Sequence, residues 1–226
     1  MSKETALLRT AIEHTVLKAE TTAKDVERVC LEAAEQGFTA VCVPPYYVDG
    51  AVDLLADSTI NVATVIGFPM GYQSSMSKFE EVEDAIAHGA DHLDVVINIA
   101  AVKSSDWDLV GNEMELLTRL AHRENKVIKF IAETGLLNEI ELDLVCRLAN
   151  DNGIDYLKTS TGFNGGGATV EAVSTMRSLL NENIRIKASG GIKTRELALE
   201  LLAAGANRLG TSSGIQLITE TPISNP

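Results

Sequence analysis

The sequence predicts an α/β protein built as a closed barrel of eight parallel strands, and three observations lead there. Short apolar runs alternate with longer amphipathic stretches along all 226 residues. Several of the short runs are almost wholly apolar, which is how a strand covered on both faces reads. The helix-to-strand joints also repeat: Gln36-Gly37-Phe38, His88-Gly89-Ala90, Asn152-Gly153-Ile154 and Ala204-Gly205-Ala206. Gly37 and Gly89 stand 52 residues apart, as do Gly153 and Gly205. Helices commonly end in a left-handed glycine, so each joint alone is ordinary. Two strands and two helices used four times are what a closed eight-stranded barrel would show, with right-handed crossovers between parallel strands.

Taken in order, the first strand is expected at His14–Leu17. Thr22, with Asp25 three residues on, opens a helix whose apolar positions Val26, Val29, Cys30 and Ala33 keep helical spacing. Gly37 closes it before a strand at Thr39–Val43, and Asp57-Ser58 precedes the next at Asn61–Gly67. Ser77, followed by Glu80, reads as the cap of a helix that leads through Gly89 to a strand at His92–Asn98. Glu124-Asn125 introduces Val127–Glu133. Asn138 with Glu141 caps a helix carrying Leu142, Val145, Cys146 and Ala149, and Gly153 leads to Tyr156–Ser160. Glu182-Asn183 precedes Arg185–Ser189, and Gly205 precedes Arg208–Thr211. No linker, low-complexity tract or break in composition interrupts this order. Residues 1–226 are therefore expected to form one domain, with a loose tail from about Thr219 to Pro226.

Composition narrows the function. The net charge of −13, from 19 Lys and Arg against 32 Asp and Glu, argues against a nucleic-acid scaffold and against docking on an anionic membrane. No apolar run approaches the roughly 20 residues that span a bilayer, and the polar stretch Met1–Thr10 lacks a signal-peptide core. Cys30, Cys42 and Cys146 are odd in number and have no C-x-x-C spacing, so a disulfide framework and a zinc knuckle are excluded and a cytoplasmic, reducing location is expected. His14, His88, His92 and His122 are scattered and make no metal pattern, and no metal or other cofactor is expected. There is no Ser-His-Asp arrangement, no Walker loop and no dinucleotide fingerprint.

In a parallel barrel the chemistry sits at the C-terminal ends of the strands. Lys129, Lys158 and Lys187 each interrupt an apolar strand, at successive intervals of 29 residues. One such lysine reads as a structural salt bridge, since an ammonium in a dry interior is costly. Three on consecutive strands, about 4.8 Å apart, suggest another use. An isolated lysine is about one part in two thousand unprotonated at neutral pH. Burial and a neighbouring cation lower its pKa and make the amine a nucleophile toward carbonyls. Lys158 and Lys187 are better placed than Lys129, because a hydroxyl- or glycine-rich loop follows each; Lys129 reads as deeper and paired with a carboxylate. Spacing does not say which lysine attacks and which tunes. Asp94, inside Leu93-Asp94-Val95-Val96-Ile97, is either a buried salt-bridge partner or a proton shuttle. Cys42 reads as a small core residue, and Glu13 as a weaker candidate that could cap the N-terminal helix. The runs Thr159–Gly167, Ser189–Ile192 and Gly210–Gly214 end the last three strands, and their glycines let backbone N–H groups approach a phosphate.

These motifs carry a family resemblance. Leu157-Lys158-Thr159-Ser160-Thr161-Gly162-Phe163, Lys187-Ala188-Ser189-Gly190-Gly191-Ile192 and Gly210-Thr211-Ser212-Ser213-Gly214 resemble the deoxyribose-phosphate aldolases. So do Glu13-His14-Thr15, Val41-Cys42-Val43, Gly67-Phe68-Pro69, Asp94-Val95-Val96-Ile97-Asn98 and Glu133-Thr134-Gly135, in order from about residue 9 to 215. The resemblance implies a TIM (β/α)8 barrel and a metal-free class I aldolase. It implies reversible cleavage of 2-deoxy-D-ribose 5-phosphate into D-glyceraldehyde 3-phosphate and acetaldehyde, and a homo-oligomer, dimer or larger. By match of motif, Lys158 would form the Schiff base, Lys187 would lower its pKa and help move protons, and Asp94 would be the acid/base residue, working through water. The phosphate would rest on Gly162, Gly190, Gly191, Gly210, Ser212 and Ser213. Three features depart from the pattern. Glu13 stands where an aspartate is usual. Pro44-Pro45 follows the Val-Cys-Val motif. The chain ends Ser224-Asn225-Pro226 without the tyrosine that closes many relatives. Two other readings share the lysine and phosphate features: another lysine-dependent sugar-phosphate barrel aldolase, and a barrel that binds a sugar phosphate without catalysis.

Overall fold

The structure is a computed structural model that describes residues 2–219. Eight strands, β1 (Ile12–Thr15), β2 (Ala40–Val43), β3 (Asn61–Ile66), β4 (His92–Val96), β5 (Val127–Ile131), β6 (Tyr156–Lys158), β7 (Arg185–Ser189) and β8 (Arg208–Thr211), pair in sequence order. Every pair is parallel, and β8 returns to β1 to close the barrel. Helices fill the crossovers and cover the outer face, so the barrel expected from the sequence is the one observed.

Local chemistry sets the joints. Thr22 and Asn138 each accept from the N–H three residues on, while Asp25 and Glu141 bond back, so two of the three expected capping boxes form. Gly37 and Gly153 close those helices in the left-handed region, at φ 67° and 58°. The repeated glycines precede β2, β4, β6 and β8, as the spacing implied.

Three expectations are corrected. The helix before β4 is Ser75–Ala87, capped by Ser74 rather than Ser77. Ser77 instead gives its N–H to the Ser74 hydroxyl, because several serines compete for one cap and the earliest wins an extra turn of helix. The first strand begins at Ile12, two residues before the expected start, because helix Lys3–Ala11 runs directly into it. Glu13 therefore caps no helix; it lies in β1 and is fully buried. The apolar runs also outlast several strands. Ile97 and Ala132 stay buried beyond the ends of β4 and β5, because both still pack in the large apolar core. The expected loose tail lies, but for Thr219, outside the described residues.

Alternation along the strands divides two interiors. Val41, Val43, Leu93, Val95, Ile128, Phe130, Leu157, Ile186 and Leu209 belong to the large apolar core between sheet and helices. The intervening positions face the barrel axis. On β2 and β3 these are Cys42, Ala63 and Val65, a small separate apolar cluster. On the remaining strands they include Glu13, Asp94, Lys129, Lys158 and Lys187, whose contacts join strands that are not neighbours and so cross the interior.

Candidate active site

Strand register sets the heights of the charged side chains. Lys158 on β6 pairs with Lys187 on β7, so these two lysines stand level. Lys129 on β5 pairs with Tyr156, one layer deeper, and with Asp94 on β4. The Asp94 carboxylate is the hub. Its Oδ1 accepts from Lys129 Nζ at 2.8 Å, and its Oδ2 accepts from Lys158 Nζ at 2.7 Å and Lys187 Nζ at 2.6 Å. Glu13 Oε2 accepts from Lys187 and lies 3.4 Å from Lys129 Nζ. Lys129 is thus deep and paired with carboxylates, as expected, but one of the two is Asp94 itself. Tyr156 lies at the same depth, its ring centroid 5.8 Å from Lys129 Nζ and 4.2 Å from the Arg185 guanidinium.

Three ammonium groups share two carboxylates here, and their surroundings push them apart. Burial alone would raise the Asp94 carboxyl, but Lys129, Lys158 and Lys187 hold it well below the usual carboxylate range. Burial works the same way on Glu13, yet Lys129 and Lys187 bring it down to about 2. Burial and the charge of Lys187 lower the pKa of Lys158, against the pull of Asp94. Lys187 is as deeply buried, but Asp94 and Glu13 together hold its proton well above the ordinary lysine range. The lysines differ by one contact: Lys187 has two carboxylates, Lys158 has one. That difference makes Lys158 the readier amine and Lys187 the standing cation beside it. His92, below Asp94 on β4, is kept neutral by burial and by Lys129, with its pKa near 3. Burial pushes the Cys42 thiol up, in keeping with a small interior residue.

A cleft of about 640 Å³ opens above this network. Of the three lysines, Lys158 is the one that lines it; Asp94 and Lys187 lie beneath. Gly162, Gly190, Gly191, Gly210 and Ser212 also line the cleft, while Ser213 stands one residue beyond, ahead of the helix Gly214–Ile218. The loops that bear them are wired together. Thr159 Oγ1 donates to Ser189 O at 3.2 Å and accepts from Ser189 N at 3.0 Å. Ala168 N donates to Gly190 O at 3.0 Å, and a Cβ on Gly167 would come within 2.1 Å of that oxygen. Gly190 and Gly191 hold φ of 87° and 74°, a consecutive pair in the region that favours glycine. Thr211 Oγ1 ties the last loop to Ile192 O at 2.7 Å.

Several contributors were not singled out from sequence. Glu133, at φ 55° just past β5, accepts from Thr161 N at 3.2 Å and from the Thr161 hydroxyl, and so shapes the loop after Lys158. Its signal was the Glu133-Thr134-Gly135 motif. Lys18, Arg28 and Lys193 reach the rim of the same cleft from the loop and helix after β1 and from the loop after β7. Their cue was weak, since exposed cations occur throughout the sequence. Among the described residues, no three of His, Cys, Asp and Glu come together in a way that could hold a metal ion.

The chain is similar to known proteins over nearly its whole length. The deoxyribose-phosphate aldolase of Desulfitobacterium hafniense is 47% identical over 208 residues, covering 92% of this chain and 95% of that one. The enzyme of the same name from Thermococcus kodakarensis is 46% identical over 213 residues, covering 93% and 95%. The tetrameric deoxyribose phosphate aldolase structure from Aeropyrum pernix superposes with a TM-score of 0.89 at 30% identity, covering 96% of this chain and 92% of that chain. The model of the DeoC/LacD family aldolases matches residues 7–217, a span that takes in all eight strands and every charged group of the barrel interior. With lysines at the mouths of β6 and β7 and this match from end to end, the chain belongs to the DeoC/LacD aldolase family.

Proposed function

We propose that this barrel is a class I aldolase that reversibly cleaves 2-deoxy-D-ribose 5-phosphate to D-glyceraldehyde 3-phosphate and acetaldehyde, with Lys158 as its Schiff-base residue. The observation that carries the assignment is the shared Asp94 oxygen. It holds Lys158 and Lys187 at 2.7 and 2.6 Å, while Lys158 has one carboxylate and faces the cleft.

The steps follow from those contacts. The unprotonated amine of Lys158 adds to the C1 aldehyde of the open-chain sugar, and loss of water from the carbinolamine gives the iminium. The C2–C3 bond then breaks. Its electrons flow into the iminium to leave an enamine, while the C3 hydroxyl loses its proton and becomes the aldehyde of glyceraldehyde 3-phosphate. Protonation of the enamine at C2 and addition of water release acetaldehyde and restore the amine. Asp94, ionised between the lysines, carries protons for these steps through water. With a pKa well below the usual range it passes protons on rather than storing them. Lys187 keeps its charge throughout and disfavours a second charge on Lys158.

The loop glycines Gly162, Gly190, Gly191 and Gly210, with Ser212 and Ser213, seat the phosphate. In a chain of net charge −13 the anion is met by a local site of loop N–H groups, hydroxyls and a few cations, while the acidity belongs to the molecule as a whole. Self-association into a dimer or larger belongs to the same reading, supported by the tetramer of the Aeropyrum pernix relative. The free, buried Cys30, Cys42 and Cys146 support a cytoplasmic, reducing location.

Borohydride reduction during turnover of 2-deoxyribose 5-phosphate tests the assignment. The imine left after cleavage is reduced to an ethyl group fixed on one lysine, and peptide mass mapping places it at Lys158. Label on Lys187 or Lys129 would overturn the roles. No label, with the sugar phosphate still cleaved, would overturn the Schiff-base mechanism.

A further inference from the structure

We propose that Arg28 reads the phosphate end of the substrate, and that Glu32 and His14 are positioning residues that hold it there. The inference rests on the sugar-phosphate reading above. Arg28 lies on the helix Ala23–Gln36 that follows β1, and β1 is the neighbour of β8. It lines the cleft together with Lys158, Gly190, Gly191, Gly210 and Ser212.

Its position is fixed from behind. Arg28 Nη1 donates to both Glu32 carboxylate oxygens at 3.1 Å. Glu32 Oε2 accepts from His14 Nε2 at 2.6 Å. His14 is 1% exposed and pairs in register with Thr211 of β8. Its other nitrogen, Nδ1, backs onto Gly214 so closely that a Cβ there would lie 2.8 Å away. Gly214 is the residue after Ser212-Ser213. One buried imidazole therefore packs against the back of the phosphate loop and, through Glu32, fixes one nitrogen of the guanidinium at the mouth of the cleft.

Two comparisons separate this from an ordinary surface pair. Arg119 and Glu115 have the same i,i+4 spacing, but their side chains are 79% and 46% exposed, against 53% and 26% for Arg28 and Glu32. A pair of that open kind couples only weakly and uses no imidazole. The lining charge also runs against the charge of the whole chain. Lys18, Arg28, Lys158 and Lys193 face Glu20 and Asp25, and Asp25 is held by the Thr22 N–H at 2.9 Å and hydroxyl at 2.6 Å. With Nη1 engaged, Nε and Nη2 remain as donors in a plane suited to phosphate oxygens.

The test compares Arg28→Gln, Arg28→Lys, Glu32→Gln and the control Arg119→Gln on 2-deoxyribose 5-phosphate and on free 2-deoxyribose, with inorganic phosphate as competing inhibitor. In Arg28→Gln, KM for the phosphorylated sugar and Ki for phosphate are expected to rise by about tenfold or more, as for loss of a charged hydrogen-bond partner. The change in kcat is expected to be several-fold smaller, so the preference for phosphorylated over free sugar falls by about the same factor as KM rises. Arg28→Lys recovers part of the loss, and Glu32→Gln shows the same KM-against-kcat split to a lesser degree. Arg119→Gln changes neither substrate. An unchanged KM in Arg28→Gln, or an equal loss on both sugars, would overturn the proposal while leaving the aldolase reading intact. Failure of the unaltered protein to cleave the phosphorylated sugar would remove both.

Discussion

Two systems of buried Lys–carboxylate pairs are present among the described residues, one inside the barrel and one outside it. Outside, Lys78 from the helix Ser75–Ala87 meets Glu113 from the helix Trp107–Arg123 at 2.7 Å. Lys78 also donates to Val96 O at 2.7 Å, and Glu113 accepts from Ser75 Oγ at 3.0 Å. One cation faces one carboxylate, the remaining bonds go to nearby polar groups, and neither side chain lines the cleft. Inside, three ammonium groups divide two carboxylates, and one of them opens on that cleft. Both arrangements have overcome the cost of burial. The first uses its charges to hold backbone at the end of β4. The second leaves a cation short of a partner where a ligand can reach it. Chemistry is marked by imbalance beside a cavity, not by burial itself.

The largest effect is expected from Lys158→Met. On the proposed mechanism this variant has no amine for the Schiff base, and kcat is expected to fall by at least about ten-thousand-fold. Because the variant leaves two lysines with two carboxylates, its thermal midpoint should hold or rise. A destabilised Lys158→Met with substantial residual turnover would make Lys158 structural. Lys187→Leu comes next, with a loss of about a hundredfold or more at neutral pH. Removing the neighbouring cation raises the Lys158 pKa, since Lys187 now pushes it down. The ascending limb of kcat/KM must therefore move to higher pH and part of the rate return in alkaline buffer. A limb that stays in place would end the tuning role.

Glu13→Gln probes the other side of the balance. The folded Glu13 carboxyl titrates near 2, below its ordinary 4.5. Its contribution to stability is thus complete above 4.5 and is lost as the pH falls toward 2. Urea midpoints should show the variant weaker than the parent at pH 7, with the gap closing between pH values of about 4.5 and 2. A gap that stays constant with pH would mean that Glu13 acts through packing rather than charge.

The barrel itself was legible because its signals are local. Apolar runs, capping boxes and glycine joints each lie within a few residues, and the lysines at 129, 158 and 187 repeat at the strand interval. Lys158, Lys187 and Asp94 could be placed on the right strands for the same reason, although their bond to one another could not. That contact needs closure: Asp94 and Lys158 are 64 residues apart, and Glu13 and Lys187 are 174 apart. Glu13 was misjudged because a two-residue shift in the start of β1 turns a helix-end side chain into an interior one. Arg28 was passed over because Glu32, four residues on in the same helix, reads as an ordinary partner for it, and nothing in that helix tells that His14 of β1 stands behind the pair.

The outer pair offers the last and smallest test, through Lys78→Met and then Lys78→Met with Glu113→Leu. The single change strands a buried carboxylate and should cost about 3–5 kcal/mol. If the pair were held by mutual attraction alone, replacing both members with apolar side chains of similar size would recover nearly all of that. Here it should not, because Lys78 also satisfies Val96 O, and that carbonyl would lose its donor. An unsatisfied buried group costs about 1–3 kcal/mol, so the double variant should remain about that much weaker than the parent. Turnover per folded molecule should stay within severalfold, because Asp94 keeps its three lysines. Full recovery of stability would show that the pair holds no backbone. A collapse of kcat in a stable double variant would show instead that the two buried charge systems act as one, through the end of β4 that they share.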